Sequence, residues 1–119
     1  MRKKKNGEAR LEACSEFITS TPVSPYSDPA AVFGRPGAPV FLEIGAGKGG
    51  FACEMARRNP DACYFAMERV TDCVVLAAEK AKATAAERGD SASMLISTTS
   101  APFLSSFSGV VKVVDIASE

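Results

Sequence analysis

Val40-Phe41-Leu42-Glu43-Ile44 runs directly into Gly45-Ala46-Gly47-Lys48-Gly49-Gly50, and no other junction in the chain limits the fold as tightly. A short apolar run holding a single acid reads as a buried strand, and the glycines let the chain turn sharply after it. Phe51, Ala52, Met55 and Ala56 then recur at helical spacing until Asn59-Pro60 stops the helix. Cys63-Tyr64-Phe65-Ala66-Met67 reads as a second buried strand, closed by Glu68. Thr71 or Asp72 caps a longer helix reaching about Arg88, with Val74, Ala77, Ala78, Ala81 and Ala85 as its inner stripe and Gly89 as its stop. Strand, helix, strand, helix with short connections predicts a right-handed parallel βαβ layer. The fold class is α/β, with a doubly wound parallel sheet favoured over a barrel.

The chain has 119 residues, enough for one domain or part of one. An open sheet covered on both faces usually needs more, so the sheet is expected to be incomplete. Residues 1–39 read as an amino-terminal extension: a basic arm, a short helix over 8–18 carrying Leu11, Cys14, Phe17 and Ile18, and a linker. Pro22, Pro25, Pro29, Pro36 and Pro39, with Gly34 and Gly37, forbid a long regular element between Thr19 and Pro39. The folded core is expected over 40–119, with definition fading after Asp90. Met94-Leu95-Ile96 reads as a third strand and Val110–Ile116 as a fourth, while Ser97 to Ser108 shows no period. In so short a sheet, strands two and three are expected to lack neighbours on one flank, leaving an open edge for self-association.

Formal net charge is zero, so the whole chain has no bias toward a polyanion. Arg2, Lys3, Lys4, Lys5 and Arg10 nevertheless cluster at the amino end, offset only by Glu8 and Glu12. Such an arm can neutralise phosphates, although a solvated tail is the ordinary fate of a charge run. The four cysteines form no C-x-x-C pair, and no histidine is present to complete a zinc site. Reduced, packed thiols suit a reducing cytoplasm. No apolar stretch follows the basic start, and no segment approaches the length of a membrane span. The expectation is a soluble, cytoplasmic protein.

Gly45 to Gly50 satisfies G-x-G-x-x-G between a strand and a helix, where a ligand must approach the backbone closely. A Walker A loop needs a glycine where Leu42 stands and Ser or Thr where Gly49 stands, and it fails on both. A dinucleotide would set its diphosphate over the turn, close to the Glu43 carboxylate, which is electrostatically unfavourable. S-adenosylmethionine carries no phosphate and presents a sulfonium and an ammonium, so Glu43 favours it over NAD. Glu68, about twenty residues beyond the turn, stands where a carboxylate accepts the two hydroxyls of an adenosine ribose. Both ligands carry that ribose, so Glu68 supports the fold without choosing between them.

Leu42-Glu43-Ile44-Gly45-Ala46-Gly47-Lys48-Gly49-Gly50-Phe51 resembles the first cofactor motif of bacterial tRNA (guanine-N7)-methyltransferases. Ala56-Arg57-Arg58-Asn59-Pro60, Tyr64-Phe65-Ala66-Met67-Glu68-Arg69-Val70 and Ala78-Glu79-Lys80-Ala81 are similar to the same family at the same spacing. The resemblance covers roughly residues 1–90 and is specific between 40 and 82. It implies a Rossmann-like fold of the class I methyltransferase type, acting on N7 of a guanine in tRNA. It also implies that Glu43 and Glu68 are the cofactor-contacting acids, with Gly45 and Gly47 in the turn beneath the cofactor. Guanine N7 has a free lone pair and no proton to lose, so a chain without histidine needs no general base.

Later features depart from the family. There is no tryptophan, no aspartate-proline-tryptophan-proline-lysine segment for the guanine pocket, and no acid around Ser97-Thr98-Thr99-Ser100 to meet the adenine. Asp115 receives no role, because its surroundings do not match. The stretch after about Asp90 is expected to be a divergent tail, arising by truncation or a change of reading frame. Three readings stay open: an active tRNA methyltransferase, a cofactor-binding fragment without activity, and another Rossmann-type enzyme such as an NAD-dependent oxidoreductase.

Overall fold

A computed structural model describes residues 7–88, 94–98, 101–107 and 112–114. Arg2 to Lys5 of the basic arm, Asp90 and Asp115 lie outside the described residues. Strand β1 (Val40–Ile44), helix α2 (Gly50–Arg58), strand β2 (Cys63–Glu68) and helix α3 (Thr71–Arg88) follow the expected order, preceded by helix α1 (Gly7–Glu12). Strand β4 (Lys112–Val114) falls within the expected fourth run, while strand β3 (Met94–Thr98) takes in Met94-Leu95-Ile96 and continues through Ser97 and Thr98. Helix α4 (Ala101–Leu104) forms inside the serine- and threonine-rich stretch, where a single turn is too short to display a period.

The strands make a parallel sheet in the order β3-β2-β1-β4. Sequence order reverses between β1 and β4, and a doubly wound sheet opens its ligand crevice at that reversal, beyond the carboxyl ends of the strands. Contrary to expectation, β2 has a neighbour on each side, because β3 and β1 pair with its two edges, while β4 covers the other edge of β1. The outer side of β3 is met by Ile18, which bridges to Ile96, while the Thr19 amide donates to the Ile96 carbonyl at 2.8 Å.

Strand β2 is buried along its whole length, so its alternate residues build two separate cores. Tyr64 and Ala66 face α2 and α3, where Ala52, Cys53, Ala56, Val74, Ala77, Ala78 and Ala81 pack with Cys14 and Phe17. The alanines let α3 approach the sheet closely. Phe51, expected on the inner stripe of α2, is instead exposed, and Cys53 is buried in its place. Arg10 is also reassigned. Its Nε and Nη2 donate to the two carboxylate oxygens of Glu79 at 2.8 and 2.6 Å, fastening α1 to α3.

Cys63, Phe65 and Met67 face the other way, and the stretch read as a linker covers them. Tyr26, Ala30 and Phe33 pack there with Phe103 and Phe107. Phe65 is fully buried, and its ring meets those of Tyr26, Phe33, Phe103 and Phe107 at centroid distances of 4.9–6.0 Å. Proline prevents regular structure without preventing burial. Pro29–Phe33 forms a 3-10 helix capped by Asp28, whose carboxylate accepts the amides of Ala30 at 3.2 Å and Gly37 at 3.0 Å. The Tyr26 amide donates to the Ser106 carbonyl, joining this cover to the segment after α4.

Candidate functional site

The turn after β1 is held by the end of β2. The amides of Gly45 and Ala46 both donate to the Met67 carbonyl at 2.9 Å. Gly45, Gly47 and Gly49 all have positive φ, a region costly for residues with a Cβ. Two different needs are met there. A Cβ added at Gly45 or Gly47 would meet nothing within 4 Å, so the space above this part of the turn is open. A Cβ at Gly49 would stand 2.9 Å from the Ala77 Cβ, so glycine is also required there by the closeness of α3.

Glu43, one residue before the end of β1, is 3% exposed. Neither carboxylate oxygen has a hydrogen-bond partner among the described residues. Burial, reinforced by the neighbouring charge of Glu68, pushes this carboxyl up to about 7. A buried carboxylate without a partner is costly, and a cation placed beside it would relieve that cost.

Glu68, the last residue of β2, is likewise buried, at 8% exposure. Its Oε1 accepts the Gly47 amide at 2.7 Å, and its Oε2 accepts the Val70 amide at 2.9 Å. Its carboxylate is thus bonded to both neighbouring turns.

All four sequence-predicted residues, Glu43, Gly45, Gly47 and Glu68, therefore gather at the carboxyl ends of β1 and β2. The pattern did not reveal the Met67 carbonyl and the Val70 amide, which complete the arrangement. Backbone groups are common to every residue type and leave no compositional signal. A cavity of about 380 Å³ elsewhere is lined by Pro39, Phe41, Met55 and Tyr64 among others, and by none of the four. It lies toward the start of the strands, away from the glycine turn.

Among the described residues, no helix is long and apolar enough to cross a membrane. The four cysteines are all free thiols.

The model of a family described as a putative methyltransferase matches residues 37–106, more than half of the chain. That match continues beyond Asp90 through β3 and α4. A tRNA (guanine-N(7)-)-methyltransferase of Bacillus cytotoxicus is 34% identical over 71 residues, covering 60% of this chain and 32% of the relative. Its counterpart from Acetivibrio thermocellus is 36% identical over 80 residues, covering 67% of this chain and 36% of the relative. That of Bacillus licheniformis is 35% identical over 86 residues, covering 72% and 40%. The chain thus spans between about a third and two fifths of the length of these curated relatives.

Proposed function

Since this chain belongs to the putative methyltransferase family, we propose that it forms the S-adenosylmethionine-binding part of an enzyme that methylates N7 of a guanine in tRNA. One observation carries the choice of cofactor. Glu43 holds a buried carboxylate with no partner, beside a glycine turn whose upper side is open. Such a site suits a ligand bearing a positive charge and no phosphate. A diphosphate would meet this carboxylate with like charge.

The residues present fit S-adenosylmethionine, which supplies a methyl group already activated by the positive sulfur that carries it. Glu43 offers its carboxylate to the cationic end of the ligand, directly or through water. Gly45 and Gly47 keep the turn free of side chains, so the ligand can approach the backbone. Each oxygen of Glu68 accepts one amide and retains a further lone pair, which leaves acceptor capacity for ribose hydroxyls. Holding a nucleophile with its own lone pair requires alignment and exclusion of water rather than proton removal. The absence of histidine from the chain is compatible with that chemistry.

The names of the three relatives support tRNA as the substrate and guanine N7 as the target. Cytoplasm is the compartment consistent with tRNA modification and with free thiols. Self-association through a sheet edge is part of the same proposal, supported by β4, which pairs with β1 and with no other strand among the described residues. Calorimetry with S-adenosylhomocysteine and NAD tests the cofactor assignment. S-adenosylhomocysteine should bind the more tightly, and tighter binding of NAD would refute the methyltransferase reading of this site. Formation of 7-methylguanosine in unmodified tRNA tests the target.

A further inference from the structure

We propose that Glu68 is a positioning residue whose single carboxylate ties the glycine turn after β1 to the start of α3, so that the two rims of the site move as one unit. Its meaning for cofactor binding rests on the function proposed above, but the tie itself is a property of the chain.

Three consecutive amides of the turn end on the last two residues of β2. Gly45 and Ala46 donate to the Met67 carbonyl, and Gly47 donates to Glu68 Oε1 at 2.7 Å. The other oxygen reaches forward to the Val70 amide at 2.9 Å. Val70 begins α3 in turn, because its carbonyl accepts the amides of Cys73 and Val74 at 2.9 and 3.0 Å. One side chain therefore bridges two connections that are remote in sequence. Both bonds fall on the carboxylate of a buried residue and are partly shielded from water, which strengthens them relative to bonds at the surface.

A second contact couples the same two rims. Gly49 lies so close to Ala77 of α3 that a Cβ on the glycine would stand 2.9 Å from that of the alanine. A shift of α3 would press on the turn. Successive amides in a turn also form a natural cradle for an external anion. Here Glu68 already meets the Gly47 amide and brings its own negative charge, so an external phosphate is opposed there. The clamp thus shapes the turn and contributes to ligand selection.

The test uses nuclear magnetic resonance on the ligand-free 119-residue protein and on Glu68→Gln. In the wild type, couplings across hydrogen bonds should connect the amide nitrogens of Gly47 and Val70 to the Glu68 side-chain carboxyl carbon. Glutamine keeps the shape but has one acceptor oxygen and turns an amide donor toward the second N–H. Hydrogen exchange at Gly47 and Val70 should therefore accelerate together, by about tenfold or more, while the Phe65 amide within β2 keeps its rate.

Absence of both couplings, or unchanged exchange at either amide in the folded variant, would overturn the proposal. Should the variant not fold, the wild-type couplings decide alone. Adding S-adenosylhomocysteine separates the two readings: no binding refutes the cofactor assignment and leaves the ligand-free clamp result standing.

Discussion

Glu43 and Glu68 stand at the same end of adjacent strands in unequal circumstances: Glu68 receives two backbone amides, while neither oxygen of Glu43 has a partner among the described residues. The charge of the bonded acid adds to burial in holding the other carboxyl at about 7. From this inequality a different response of the two acids to pH and to substitution is expected.

The ligand-free protein should lose stability as pH rises from about 4.5 to about 7, through Glu43. Its folded value, about 7, lies above the ordinary 4.5. Across that window the folded state retains a proton that the unfolded state has released, so stability falls with pH. Below the window both states are protonated, and above it the full penalty is present, up to about 3 kcal/mol. Glu43→Gln removes this term. Urea midpoints at pH 5 and pH 8 should show the variant gaining on the wild type at the higher pH, and parallel behaviour would contradict it.

Ligand binding should show the opposite dependence. Only the ionised form of Glu43 attracts a cationic group, and that form increases as pH passes about 7. Affinity for S-adenosylhomocysteine should rise by about five- to tenfold between pH 6 and pH 7.5, following the ionised fraction. In Glu43→Gln the rise should disappear. Isothermal titration at the two pH values gives the comparison.

Glycines of the turn should differ in how much stability they supply. Gly49→Ala meets Ala77 as well as an unfavourable φ of 83°, so a loss of about 2–4 kcal/mol is expected. Gly45→Ala has the backbone strain with open space around the new methyl, which points to about 1–2 kcal/mol. Denaturant midpoints rank them. Gly45→Ala should nevertheless weaken cofactor binding, because its methyl would enter the space assigned to the ligand.

Phe33 tests whether residues 19–39 belong to the fold. It is 8% exposed and meets the Phe65 ring edge-on at 5.1 Å. Phe33→Ala should cost about 3 kcal/mol or more, as for other aromatic truncations in a core. A solvated linker would tolerate the change with no measurable shift in the unfolding midpoint.

By itself the sequence determined the elements from Val40 to Arg88, the glycine turn, and the acids that close β1 and β2. These follow from short-range rules: apolar period, turn chemistry and helix stops act within a few residues and are visible in order along the chain. Tertiary structure decided what each residue does. Glu43 and Glu68 are the same residue type at similar strand positions, and only the approach of the Gly47 and Val70 amides separates the bonded acid from the unpartnered one. Arg10 belonged to a basic cluster until α3 brought Glu79 to it from 69 positions away. The proline-rich stretch carried no periodic signal, yet β2 is buried on both faces and needed a second cover, which Tyr26, Ala30 and Phe33 help to provide. Pairing and burial between distant segments depend on which surfaces meet in space, and no local pattern records that.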